Sequence, residues 1–204
     1  GLCPPDAAPG LILLGSSTWP GEEEMLAEVY QRLRNSGAAV RLVIVPRHAE
    51  RRQEVLAALR RAGLSATLRS EKGPCAPGDV YVADTTGELR HFTSLADLAF
   101  IGKSLPPNEG GQTPIEAAGF GIPMVYGPNM SNFKAAPIRA ETADDASEAL
   151  YQLALDADRR NTLSQNAISW HAENRGSVGR TVQIICEVLG EAQPKPPPAG
   201  ESSV

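Results

Sequence analysis

Apolar runs of strand length alternate along this chain with segments of helical period, and few folds accommodate that alternation. Leu11–Ser16 and Val40–Val45 are short apolar runs, and the segments after them, Glu22 to Asn35 and Ala49 to Ala62, space their apolar residues three and four apart. The first segment puts Leu26, Val29 and Leu33 on one stripe, and the second does the same with Val55, Leu56 and Leu59. Strands apolar on both sides need helices on both faces, so the pattern implies an α/β fold with a doubly wound parallel sheet. Further strands are expected near Ala66–Arg69, Asp79–Asp84, Ala99–Gly102 and Pro123–Tyr126, with helices at Gly87–Ala96 and Pro114–Gly119. Mainly helix is expected from Asp144 to Leu189, giving five or six strands in a Rossmann-like domain with a helical C-terminal end.

The ends of the chain read differently. Residues 1–10 (GLCPPDAAPG) and 191–204 (EAQPKPPPAGESSV) are rich in Pro, Gly and small residues. Such stretches bury too little apolar area to offset the entropy of ordering, so they are expected to be a linker and a tail around one domain at 11–190. An opening Gly1 suggests a processed product or a piece of something longer. No apolar run reaches the roughly 18 residues that argue a membrane span, and no signal peptide is evident.

A formal net charge of −5 gives no general attraction to nucleic acid or anionic lipid, so any bound phosphate must meet a local site. Cys3, Cys75 and Cys186 are odd in number, far apart and outside C-x-x-C spacing, which points to a reducing, cytoplasmic setting rather than disulfides or zinc. The chain also lacks the clustered carboxylates or histidines of a divalent site, so neither metal nor cofactor is expected.

Open parallel sheets bind ligands beyond the carboxyl ends of their strands. Four loops there carry chemistry. Gly15 to Glu24 occupies the place of a dinucleotide fingerprint without its G-x-G-x-x-G spacing, and its three glutamates suit a positive helix end better than they suit a phosphate. Pro46-Arg47-His48 offers a planar fork of donors for phosphate or carboxylate on a stiffened backbone, whereas Arg51 and Arg52 read as surface residues. In Asp84-Thr85-Thr86-Gly87-Glu88-Leu89 the amides can meet a phosphate or a base edge, but Thr85 and Glu88 also have capping-box spacing, which needs no ligand.

The fourth loop, Gly102 to Glu116, is the richest. Gly110 and Gly111 leave room for a ligand, and Thr113, Pro114 and Glu116 fit the cap, first turn and third position of a helix, again with a capping box as the competing role. Gly102-Lys103-Ser104 has the look of a P-loop end, but Asp97 stands where the upstream glycine is required, so a P-loop is rejected. Together the four loops favour a sugar-nucleotide cleft without specifying the nucleotide.

Six ordered motifs then carry a resemblance. Ser17-Thr18-x-x-Gly21-Glu22-Glu23, Pro46-Arg47-His48-x-Glu50-Arg51, Asp84-Thr85-x-Gly87-Glu88-Leu89, Gly102-x-Ser104-Leu105, Gly110-Gly111-x-x-x-x-Glu116 and Gly127-Pro128-x-x-x-Asn132-Phe133 occur in this order. Across roughly residues 11–190 the chain resembles the carboxyl-terminal, donor-binding half of the 3-deoxy-D-manno-octulosonic acid (Kdo) transferases. The resemblance implies a GT-B glycosyltransferase that moves Kdo from CMP-Kdo to a lipid A precursor at the cytoplasmic face of the inner membrane. It implies that Pro46 and Arg47, then Thr86, Gly87 and Glu88, then Gly110, Gly111 and the helix start from Thr113 to Glu116 hold the donor. Arg47 would meet phosphate, and Glu116 the ribose hydroxyls.

The chain departs from the family pattern at four positions. Trp19 and Gln112 stand where the family commonly has His, Lys103 where it has Gly, and Thr113 where it has Asn. The interval between Phe133 and a strand expected at Pro137–Thr142 is also short for the helix the family places there. The family's amino-terminal half, which supplies the acceptor site, the membrane anchor and the catalytic base, has no counterpart in these residues, so no catalytic residue is assigned. Two rival readings stand beside this one: a GT-B transferase or epimerase using a uridine donor, and a non-catalytic Rossmann domain that senses a ligand or binds a partner.

Overall fold

The computed structural model describes residues 10–71, 80–108, 110–130 and 138–174. Residues 1–9 of the expected 1–10 linker, the tail at 191–204, all three cysteines and the interval at 131–137 lie outside the described residues. The chain divides into two units, Gly1–His171 and Ala172–Val204, and the sheet belongs wholly to the first. Of the second unit, only the end of the last helix at 172–174 is described.

In chain order the elements are β1 (Leu11–Thr18), α1 (Glu22–Asn35), β2 (Val40–Pro46), α2 (Arg52–Arg61), β3 (Ala66–Leu68), β4 (Val80–Val82) and α3 (Leu89–Ser94). They continue with β5 (Leu98–Ile101), α4 (Ile115–Gly119), β6 (Met124–Tyr126), β7 (Ile138–Arg139), α5 (Ala143–Leu155) and α6 (Ala157–Asn174). The strands form one sheet in the order β3-β4-β2-β1-β5-β6-β7, and every described pairing is parallel. Their carboxyl ends therefore share one edge.

Successive strand residues face opposite sides, and the two sides have separate cores. Leu13, Leu42, Ile44, Val82, Leu98 and Phe100 pack under α1, α2 and α5, where Leu26, Val29, Leu33, Val55, Leu59 and Leu150 are buried. On the other side Leu14, Val43, Val45, Ile101, Met124 and Tyr126 pack against Phe92 of α3, Ala117 and Ala118 of α4, and Ala167 of α6. Trp170 packs against this second core.

The strand count is seven rather than five or six, because Ile138–Arg139 pairs in parallel with Val125 and Tyr126. This strand lies inside the one expected at Pro137–Thr142 but is only two residues long. The second helix starts as a 3-10 turn at Ala49–Arg51 before becoming α-helical. The long C-terminal helix is broken at Asp156, whose backbone is extended, and α6 restarts at Ala157. No described helix is long and apolar enough to cross a membrane.

Candidate functional site

The chain runs from β1 to β2 on one side of the sheet and returns to β5 on the other side of β1. The crevice between the loops after these strands is the switch point at which doubly wound sheets hold ligands. Its floor is set by a carboxylate. Glu22, in the first turn of α1 and 1% exposed, accepts hydrogen bonds from the backbone N–H groups of Trp19 (2.9 Å), Lys103 (2.9 Å), Ser104 (3.1 Å) and Leu105 (3.4 Å). One side chain thereby ties the loop after β1 to the loop after β5. Burial pushes its pKa above the ordinary glutamate range, and the four amides pull the other way.

Glu23 is equally buried and serves the neighbouring junction. It accepts from Thr18 Oγ1 at 2.9 Å and pairs with the Arg51 guanidinium at 2.9 Å, while Arg51 also donates to the Thr18 carbonyl at 3.1 Å. Burial raises the Glu23 pKa against the opposing pull of Arg51. The surface reading of Arg51 is thus corrected: its side chain is 13% exposed and spent on Glu23 and Glu54. Arg52 does stay half exposed, 3.8 Å from the buried Asp84 carboxylate. The glutamates do open the first turn of α1 as expected, but Glu22 and Glu23 are in addition interior hydrogen-bond acceptors, a role the sequence reading did not give them. Their spacing held the signal: Glu22 lies four residues before Leu26, on the buried stripe of α1.

Backbones approach closely above this floor. A Cβ on Gly102 would lie 2.3 Å from the Ser17 carbonyl oxygen, and one on Gly127 would lie 2.1 Å from that of Ser104. Ser104, fully buried, accepts from the Gly127 N–H at 2.8 Å and donates to the Ile101 carbonyl at 2.5 Å.

The expected site residues stand along this edge. Pro46 is buried at the end of β2, and Arg47 is exposed, with its backbone N–H on the Thr18 carbonyl at 3.1 Å. No described residue makes an ion pair or hydrogen bond with the Arg47 guanidinium. Thr86 and Gly87 are exposed, and Gly87 has φ +85, which ends the loop before α3. Glu88 is held by the Arg69 guanidinium at 2.9 Å and by the Thr85 hydroxyl, and the arginine above all brings its pKa down to about 2. Gly110 has φ +100, and a Cβ there would meet nothing nearer than Lys103 Nζ at 4.0 Å. Gly111 bonds its N–H to the Lys103 carbonyl at 2.8 Å, but a Cβ there would lie 2.2 Å from Met130 Sδ, so the packed methionine takes the room expected for a ligand. Thr113 is exposed, and Glu116 meets Arg90 of α3 at 3.7 Å.

Neither expected capping box forms. The cap position of α3 is Glu88 and that of α4 is Pro114, without a side-chain cap at either, and Thr113 Oγ1 accepts from Ile115 at a long 3.4 Å. The box among the described residues is Thr142 with Asp145, opening α5. Freed from capping, Glu88 and Glu116 spend their carboxylates on arginines instead. Arg47 has no described hydrogen bond or ion pair to the 86–88 or 110–116 loops. Connection from the β2 loop to the β5 loop runs instead through His48, whose ring is 5.7 Å from that of Trp19, and through Trp19, whose ring carries Lys103 Nζ 4.9 Å from its centroid. The sequence reading did not place Trp19 and Lys103 together. No described group of three His, Cys, Asp or Glu side chains is arranged to hold a metal ion.

No family model matches the chain. A 3-deoxy-D-manno-octulosonic acid transferase from Bordetella pertussis is 35% identical over 194 residues, which is 88% of this chain and 45% of that protein. Its counterpart from Rickettsia conorii is 27% identical over 190 residues, 87% of this chain and 40% of that protein. The C-terminal CMP-Kdo binding domain of WaaA from Acinetobacter baumannii shares the fold with a TM-score of 0.70, at 26% identity over 78% of this chain and 87% of that one. The chain belongs with the carboxyl-terminal domain of the Kdo transferases. It spans less than half the length of these two curated relatives. The seven-stranded parallel sheet accordingly matches the Rossmann-like carboxyl-terminal domain of the GT-B fold.

Proposed function

We propose that residues 11–190 are the CMP-Kdo-binding half of a Kdo transferase that acts on a lipid A precursor at the cytoplasmic face of the inner membrane. The observation that carries this reading is the division of labour between two neighbouring arginines. Arg51 is consumed by Glu23, whereas Arg47, at the carboxyl end of β2 beside the switch point, is exposed and keeps its guanidinium free of described partners. A free guanidinium at that place suits a phosphate, and the likeness to a CMP-Kdo binding domain supports CMP as the nucleotide. Its pinned backbone amide and the buried Pro46 before it fix where the side chain starts.

In the proposed transfer, the acceptor hydroxyl attacks the anomeric carbon of Kdo, the bond from that carbon to the phosphate oxygen breaks, and CMP departs. Arg47 stabilises the charge that grows on the leaving phosphate. Thr86 and Gly87 lie exposed where a base or phosphate can meet their amides, and Glu116 reaches the ribose hydroxyls from α4. Glu88 positions its loop through Arg69, and Gly110 and Gly111 shape the turn beneath the donor. The base that deprotonates the acceptor belongs to an amino-terminal half, so these 204 residues alone bind donor and transfer nothing measurable.

Calorimetry with CMP, UMP and AMP tests the assignment. CMP is expected to bind in clear preference, and equal or absent binding of all three would sink it. Arg47→Ala should weaken CMP about ten- to a hundredfold, as loss of a charged hydrogen bond does, while leaving folding stability within about 0.5 kcal/mol. A uridine-donor enzyme is the reading to which a UMP preference would point.

A further inference from the structure

Two cations flank β1 at the switch point. One is Arg47, after β2; the other is Lys103, after β5, which the functional reading above leaves without a role. Lys103 is built into place on both sides of its backbone. Its N–H donates to Glu22 at 2.9 Å, its carbonyl accepts from Gly111 at 2.8 Å, and its φ is +57, a left-handed conformation uncommon for a residue with a Cβ. Its side chain then places Nζ 4.9 Å from the centroid of the Trp19 ring and 4.0 Å from the position a Cβ on Gly110 would take. No described carboxylate pairs with it. The described acidic groups nearest in sequence to Trp19 are already engaged, Glu22 by four amides and Glu23 by Arg51 and Thr18. Beside it the Trp19 indole N–H is buried without a hydrogen-bond partner among the described residues, a donor that a native interior rarely leaves unmet.

We propose that Lys103 is a donor-binding residue of the cleft, its ammonium held on Trp19 beside Gly110 so as to pair with an anionic group of the nucleotide sugar. The proposal rests on the nucleotide-sugar reading and adds a residue to it. A fixed backbone at an unfavourable φ, an aromatic rest for the side chain and an ammonium with no carboxylate partner among the described residues are together more than a solvated surface lysine requires. The anion can be the phosphate or the carboxylate of the sugar, because an ammonium serves both as a point charge. With Arg47 on the far side of β1, two cations would then grip one donor from both sides of the switch point.

Lys103→Gly is the cleanest variant, since glycine relieves the left-handed φ and the fold has no reason to weaken. Calorimetry on the full chain with cytidine, CMP and CMP-Kdo reads the result. Lys103→Gly should bind CMP about tenfold or more weakly, with cytidine unchanged and Lys103→Arg restoring binding to within about threefold. If CMP is unaffected and CMP-Kdo alone loses about tenfold, the ammonium serves the sugar carboxylate and the proposal stands in that form. It is overturned if Lys103→Gly matches the unaltered protein with both CMP and CMP-Kdo, or if cytidine falls by the same factor as CMP. A chain that prefers UMP, with the same dependence on Lys103, would remove the cytidine reading and leave the role of Lys103 intact. Failure to bind any of these nucleotides would remove both.

Discussion

Glu22 and Glu88 are glutamates at the starts of helices, each just past the end of a parallel strand, and they do opposite work. Glu22 is buried and accepts from the amides of two different loops, so it acts between elements. Glu88 is about one-third exposed and held by Arg69 from the turn after β3 and Thr85 from its own loop, so it acts on one rim of the sheet. The difference comes from what the facing backbone lacks. Where β5 ends against α1, three consecutive N–H groups need an acceptor that water cannot supply, and a carboxylate on the core stripe meets them. Where β4 ends, solvent is near and an arginine suffices.

The largest effect should come from the interior member. Glu22→Ala leaves the Trp19, Lys103 and Ser104 amides without their acceptor and is expected to cost roughly 3–5 kcal/mol of unfolding free energy in denaturant titrations. A loss comparable to that of Glu88→Ala would erase the distinction between them. Next comes Arg51→Ala, which strands the buried Glu23 carboxylate and should cost about 2–3 kcal/mol, the partial exposure of the arginine trimming the usual figure. Arg47→Ala beside it should leave stability unchanged, so equal losses at the two arginines would show that Arg51 is no more structural than its neighbour.

The smallest effect belongs to the rim and is legible in pH. The Glu88 carboxyl is lowered from 4.5 to about 2 in the folded chain. A depressed carboxylate stabilises the fold fully above the unfolded value, and that contribution fades as pH falls from about 4.5 toward 2. Glu88→Gln should therefore flatten the acid side of the thermal-melting profile within that window by no more than about 1 kcal/mol. Glu22 and Glu23 have the opposite sign. Their pKa values are raised by burial, so their ionisation opposes folding as pH climbs past 4.5.

Periodicity made the sheet, its parallel sense and its two helical layers legible, because strand-length apolar runs and helical stripes survive any local detail. α1 runs from Glu22 to Asn35, as its apolar spacing requires. β7 falls within the strand expected at Pro137–Thr142, but its two-residue extent was not legible, since it is set by pairing with β6 rather than by its own pattern. Arg47 could be picked out at a strand end because position alone exposes it. Arg51 reads as a surface residue instead, because the acceptor that claims it lies 28 residues away on another element. Likewise, Thr and Glu three apart describe a capping box only if the helix begins between them, and at Glu88 and Pro114 the cap position falls one residue or more past the threonine.

Gly102 rests on Ser17 and Gly127 on Ser104 with no space for a side chain between them, so the strand-end loops are laminated, backbone upon backbone. A laminate of this kind cannot be re-spaced without peeling it apart; it can only be resurfaced. Trp19, Lys103, Gln112 and Thr113, where this chain parts from the family pattern, all keep some surface in solvent, whereas Gly102, Ser104 and Gly127 beneath them are buried and match the pattern. Under the proposed function, a donor preference peculiar to this chain would be written in the outer coat, over a base with no room for a side chain at Gly102 or Gly127.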